Sequence, residues 1–189
     1  MNDDRWLLNW LDEINNAATN ATVLELGCGR GRDTKFLSTH GFQVVALDCR
    51  RESLYRCSHV RNALPVQADL ATNLPFADHA FGAILASLSL HYFSWSITQS
   101  IMAEIKRVLD RRGMLLIRVN STEDTNYGAG QGPQFEENYY RVGTQTKRFF
   151  DEASVHDLLS EFDLQAVQHQ TIDRYGKDKN VWEAMAYQV

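Results

Sequence analysis

Thr22-Val23-Leu24-Glu25-Leu26-Gly27-Cys28-Gly29-Arg30-Gly31-Arg32-Asp33 decides how the rest of the chain is read. Val23, Leu24 and Leu26 form a short apolar run of the kind that makes a buried strand. Gly27, Gly29 and Gly31 follow at alternate positions. Glycine turns the backbone tightly and lets a ligand approach with no Cβ in the way. Cys28 stands inside this turn, where a small side chain is needed. Asp33 offers an N-cap for a helix after the turn. Strand, glycine turn and helix in this order hold a nucleoside-containing cofactor at the carboxyl end of a parallel strand. A dinucleotide fingerprint needs a further glycine where this chain has Arg32, and a phosphate-binding loop ends in Lys followed by Ser or Thr, which is absent.

Working outward, apolar runs alternate with helical patterns. Strands are expected at 22–26, 42–48, 64–69, 81–86 and 113–119, and helices at 4–17, 33–40, 51–61 and 95–110. Trp6, Leu7, Trp10, Leu11 and Ile14 carry the first helical stripe, and Ile97, Ile101, Ile105 and Val108 a later one. Alternation of this kind predicts a doubly wound, mostly parallel sheet with helices on both faces. Asp48 ends the second strand about 20 residues after the glycine turn, a position suited to ribose hydroxyls. Near the end, Asp151 caps a helix with the stripe Val155, Leu158, Leu159 and Phe162. The runs Leu164–Ile172 and Asn180–Val189 follow, joined by Arg174-Tyr175-Gly176-Lys177-Asp178. A short connection containing Gly predicts a hairpin and an antiparallel last strand. Residues 120–147 are polar, with Gly128, Gly130, Gly132 and Pro133, and carry Tyr127, Phe135, Tyr139 and Tyr140. A stretch this long without evident structure is usually functional or disordered. It leaves the fifth strand beside the cofactor end, and a substrate lid is the reading preferred, with a plain surface excursion as the alternative.

Taken in order, Glu25 with the glycine turn, Asp48, Val66-Gln67-Ala68-Asp69, Phe81–Ala86 running into Ser87-Leu88-Ser89-Leu90-His91-Tyr92, and Ile105–Leu109 with Arg112–Ile117 resemble class I S-adenosylmethionine-dependent methyltransferases. Lys147-Arg148-Phe149-Phe150-Asp151 loosely resembles small bacterial members near the type 11 and tellurite-resistance kinds. The resemblance implies a Rossmann-like, seven-stranded sheet of order 3-2-1-4-5-7-6 over a single domain, 1–189, with S-adenosyl-L-methionine as cofactor. It assigns Glu25, Gly27, Cys28, Gly29, Gly31, Asp48, Cys49, Asp69, Leu70 and Ser87 to the cofactor, with Glu25 toward the methionine ammonium and Asp69 and Leu70 toward adenine. Tyr92, Arg118 and Tyr127 fall on the acceptor side. His91, just past the fourth strand, is the candidate base, since its ordinary pKa suits proton transfer near neutrality.

Bulk properties narrow the class. The 189 residues carry a net charge of −5 with 44% hydrophobic content, so one domain with a real core is expected. An acidic balance argues against a nucleic-acid partner. Arg50, Arg51, Arg56 and Arg61 read as one solvated helix face. The fourth motif lacks the Asn/Asp-Pro-Pro-Tyr/Phe signature of amino-group nucleic-acid methylases, which leaves a small-molecule acceptor. Three cysteines, Cys28, Cys49 and Cys57, form no C-x-x-C pair, as expected for a reducing cytoplasm. The six histidines show no metal-ligand spacing, no apolar run is long enough to span a membrane, and no signal pattern is evident. A nicotinamide-dependent oxidoreductase and a non-catalytic cofactor-binding module remain the alternatives, and the oligomeric state is open.

Overall fold

β1 (Thr22–Leu26), β2 (Gln43–Asp48), β3 (Ala63–Gln67), β4 (Phe81–Ser87) and β5 (Leu109–Asn120) alternate with α2 (Arg32–Thr39), α3 (Arg51–Cys57) and α4 (Trp95–Val108) in the computed structural model, which describes residues 6–189. α1 (Leu11–Ala17) precedes them; α5 (Glu152–Leu158), β9 (Phe162–Arg174) and β10 (Lys177–Gln188) follow. The main sheet has the order β3-β2-β1-β4-β5-β10-β9. β1, β2, β3, β4 and β5 are parallel, whereas β10 runs antiparallel to both β5 and β9. Counted within this sheet, the order is the expected 3-2-1-4-5-7-6.

Side chains on a strand alternate between faces, and here the alternation builds two cores. Leu24, Leu26, Ile84, Ala86, Leu115 and Ile117 pack with Ile101 and Ile105 of α4 and Val155 and Leu158 of α5. Val23, Ala83, Leu85, Met114 and Leu116 pack with Trp6, Trp10, Ile14, Leu37 and Cys57. A strand covered on both faces must be apolar throughout, and β4 is buried from Phe81 to Ala86. Glu25 and Arg118 alternate with the second set and therefore lie on the Trp6 face.

Several expectations are corrected. Asp33 is not the N-cap: Gly31 is, in the left-handed region at φ 71, and α2 begins at Arg32. Asp33 lies in the first turn, where a negative charge suits the helix dipole, and accepts a bond from the Trp6 indole at 3.2 Å. The first helix, expected at 4–17, starts as a 3-10 turn over Trp6–Trp10 that buries Trp6, Leu7 and Trp10; residues 4 and 5 lie outside the described ones. α3 stops at Cys57 and not at 61, because turn bonds from Val60 N to Cys57 O and from Ala63 N to Val60 O replace the helical ladder. The hairpin connection is only Tyr175-Gly176, both with positive φ (59 and 75), so the strands run further than expected.

The largest correction concerns 120–147. It holds a three-stranded antiparallel sheet of β6 (Gln134–Glu136), β7 (Tyr139–Val142) and β8 (Gln145–Arg148). Arg148 pins this sheet to the body. It pairs with Glu136, donates to Glu137 O at 3.0 Å, and lies 5.4 Å from the Trp95 ring and 5.0 Å from the Tyr139 ring. Glu136 also accepts from Trp95 N at 2.9 Å, at the start of α4. Gly128 packs so closely that a Cβ would lie 2.5 Å from Val142.

Candidate functional site

The glycine turn is lashed to the end of β2. Gly27 N and Cys28 N both donate to Leu47 O, at 2.7 and 3.0 Å, and Gly31 N closes the turn onto Cys28 O at 2.8 Å. Gly27 has φ 76, and a Cβ there would lie 2.6 Å from Ser89 Cβ. Both the conformation and the space demand glycine. Gly29 faces the other way: a Cβ would meet only Gly27 O, at 3.9 Å, so this backbone is open to approach.

Asp48 is 6% exposed and stands at the mouth of the turn. Its Oδ2 accepts from Gly29 N at 2.9 Å and its Oδ1 from Arg50 N at 2.8 Å. Each carboxylate oxygen keeps a second lone pair for a ligand hydroxyl. Glu25 is buried under the turn, where the Thr34 hydroxyl donates to it at 2.5 Å. Burial, with Asp33 nearby, holds its carboxyl well above the usual carboxylate range. Cys28 and Cys57 touch, Sγ to Sγ 3.4 Å, beside Thr34. The bond with Cys57 and burial push the Cys28 thiol up, while the same bond brings Cys57 down to about 6. Cys49 is exposed and its carbonyl accepts from Gln67 at 3.0 Å. Asp69 is exposed and accepts from Ala71 N at 2.9 Å, while Leu70 beside it is buried. Ser87 accepts from Arg118 Nε at 3.3 Å. Arg118 also pairs with Glu183 at 3.8 Å and stacks 4.4 Å from Trp6, so it is built into the Trp6 face.

His91 sits in a 3-10 turn over Leu90–Tyr92 and is 4% exposed. Its Nδ1 is buried with no hydrogen-bond partner among the described residues. Burial, then Lys179, Lys147 and Arg174, push the imidazole well below its ordinary pKa, so it is neutral at pH 7. The Tyr92 ring lies 4.2 Å from the His91 ring, and the Tyr92 carbonyl accepts from Tyr139 Oη at 3.2 Å. The small sheet therefore abuts the turn that carries His91. Tyr127 donates its hydroxyl to Arg174 O, which ties this segment to the β9–β10 hairpin.

Residues 24–117 match the family model described as the methyltransferase domain. The chain belongs to the class I S-adenosylmethionine-dependent methyltransferase family. It is 36% identical over 96 residues to an uncharacterized methyltransferase of Synechocystis sp., a match over 50% of this chain and 45% of that one. The matched stretches span about half the length of such curated relatives. Its fold is that of a SAM-dependent methyltransferase from Methanosarcina mazei, at TM-score 0.76, 17% identity and coverage of 94% and 97% of the two chains. It is also that of the Burkholderia thailandensis 1,6-didemethyltoxoflavin-N1-methyltransferase, crystallised with its substrate and S-adenosylhomocysteine (TM-score 0.74, 18% identity, 99% and 78% coverage). The family's cofactor is S-adenosylmethionine, and the open backbone at Gly29 beside the Asp48 carboxylate fits a nucleoside there.

The tertiary structure adds residues that sequence reading passed over. Ser89 is buried against Gly27, and its Oγ has no partner among the described residues. Lys147, Lys179, Arg174 and Asp124 gather around Tyr127. One sequence signal existed: Lys179 alternates with Val181 in a strand, an inward position for a cation. Among the described residues no group of His, Cys, Asp and Glu is arranged to hold a metal ion, and no helix is long and apolar enough to cross a membrane.

Proposed function

We propose that residues 1–189 act as one methyltransferase unit that moves the methyl group of S-adenosylmethionine to a small-molecule acceptor. The observation that carries this reading is the glycine turn closed on Asp48, with the buried His91 and its unpartnered Nδ1 just past the neighbouring strand. S-adenosylmethionine, when bound, supplies an electrophilic methyl group. Asp48 accepts the ribose hydroxyls, and Asp69 with Leu70 borders the adenine. The open backbone from Gly27 to Gly31, with Cys28 between and Cys49 at the neighbouring strand end, cradles the nucleoside. Glu25 and Ser87 serve the methionine end. Glu25 does so from beneath the loop, as a protonated carboxyl that the Thr34 hydroxyl fixes in place. His91 removes the acceptor's proton, while the protein's main contribution is to align the acceptor behind the methyl group, where orientation alone supplies much of the acceleration. Tyr92 and Tyr127 border the acceptor, and Arg118 holds the wall behind Ser87. Three free cysteines accord with a cytoplasmic setting.

Calorimetry tests the first half of the reading. S-adenosylmethionine and S-adenosylhomocysteine should bind, and NADH should bind more weakly; tighter NADH binding overturns it. His91→Asn tests the second half. Turnover on the acceptor should fall by about 10²–10⁴-fold, the range of a lost general base, with cofactor affinity unchanged.

A further inference from the structure

We infer that the acceptor is a small oxyanion, a carboxylate- or phosphate-bearing molecule held beside His91 by Lys147 and Arg174. This rests on the methyltransferase reading above and names the chemistry its acceptor must have.

The geometry begins at Tyr127, which gathers two ammonium groups and the backbone of Arg174. Lys179 Nζ lies 4.4 Å from the centre of its ring, Lys147 Nζ reaches its carbonyl at 3.5 Å, and its hydroxyl donates to the carbonyl of Arg174. Lys179 is 4% exposed and is matched by Asp124, itself 1% exposed. Asp124 is thus committed. Lys147 is half-buried, yet neither it nor Arg174 has a carboxylate within ion-pair distance among the described residues. Burial lowers the Lys147 pKa, and the carboxylate that offsets this, Asp124, is already paired with Lys179; a desolvated cation that shares its counter-charge is costly, and the cost is recovered when an anion binds.

These cations surround the acceptor end and not a distant surface. The strand that carries Lys147 packs on the His91 turn, with Thr146 and Tyr139 both donating to the Tyr92 carbonyl, and the charges that act most on His91 are the positive ones of Lys179, Lys147 and Arg174. His91 itself is 4% exposed and leaves Nδ1 without a partner among the described residues. The hairpin tip completes the enclosure. Tyr175 lies 5.6, 5.7 and 5.5 Å from the guanidiniums of Arg30, Arg32 and Arg174, so the tip spans from the glycine turn to the cation cluster. The chain as a whole carries −5, so this local excess of positive charge runs against its composition. An oxyanion between Lys147 and Arg174 balances the cluster and brings a neighbouring nucleophile to the His91 ring.

The test uses matched probes on the full chain saturated with S-adenosylhomocysteine, at fixed ionic strength. Calorimetry compares benzoate and phenyl phosphate with uncharged benzamide. At least one anion should bind about tenfold or more tightly than benzamide, and the stronger one identifies the carboxylate or the phosphate. Lys147→Gln and Arg174→Gln should each erase most of that preference, with cofactor affinity and melting temperature retained. Lys147→Arg should keep it. Benzamide binding equal to the anions, no anion binding up to about 50 mM, or a preference that survives in the double variant overturns the inference. Should S-adenosylhomocysteine itself not bind, the methyltransferase reading fails by that result alone, and the probe comparison on the free chain still decides the anion site.

Discussion

The two ends of the proposed site are opposite in charge and different in construction. Glu25, Asp48 and Asp69 lie at or just past the carboxyl ends of consecutive parallel strands, within a stretch of 45 residues, where the proposed site for a sulfonium cofactor lies. Lys147, Arg174 and Lys179 come from a strand of the small sheet and from the two arms of the hairpin, and gather about Tyr127. The acidic end is held by backbone bonds into side chains close by, such as Gly29 N and Arg50 N onto Asp48. The basic end is held by long-range side-chain contacts, Lys179 to Asp124 and Arg148 to Glu136. One end is local and the other tertiary, so substitutions should affect them differently.

The largest effect is expected at the basic end. Lys179→Met strands the buried Asp124 carboxylate, and loss of one partner of a buried pair costs about 3–5 kcal/mol. At this size that lowers Tm by roughly 10 °C, read by thermal melts. Adding Asp124→Leu should recover most of the loss, since a buried pair replaced by apolar groups is often neutral. A single-variant loss under about 1 kcal/mol breaks the contrast, because it is the value of a solvated pair.

At the acidic end, Gly27→Ala forces a side chain into φ 76 and against Ser89. The backbone strain alone is worth about 1–3 kcal/mol, and S-adenosylhomocysteine affinity should collapse with it, as calorimetry will show. Wild-type affinity would mean that the turn relaxes freely.

Asp48→Ala is expected to act more narrowly. It removes charge-assisted bonds worth about 1.5–3 kcal/mol each, so cofactor affinity should drop about tenfold or more while the melt stays cooperative. An unchanged dissociation constant in the folded variant removes Asp48 from the cofactor site.

The smallest effect is a pH slope. Burial and Asp33 keep the Glu25 proton on in the folded chain above 4.5, where the unfolded chain releases it. The folded state then binds more protons than the unfolded one, so this group takes stability away as pH rises from about 4.5. Glu25→Gln should gain on the wild type in urea midpoints as pH rises from about 4.5. Parallel midpoints across that range would show that Glu25 is ionised in the fold.

What the sequence determined by itself was the half of the molecule whose physics is local. A parallel strand buried on both faces needs a continuous apolar run, and β4 shows one, as β1 does apart from Glu25. A turn with positive φ needs glycine, and Gly27, Gly29 and Gly31 announce it. Gly176 did the same for the hairpin and, through it, for the antiparallel last strand. What only the tertiary structure decided is whatever depends on distant partners. β6, β7 and β8 are short and polar, and exist as a docked sheet because Arg148 bridges Glu136, Trp95 and Tyr139. Asp33 looks like a cap until Trp6 and the left-handed Gly31 are placed around it. Lys147 and Arg174 read as ordinary surface cations, and join the inward Lys179 in a charged cluster only when Tyr127 ties two remote segments together near His91. Pairings across such separations leave no periodicity in the chain, since their geometry is set by the packing of the sheet they stand on.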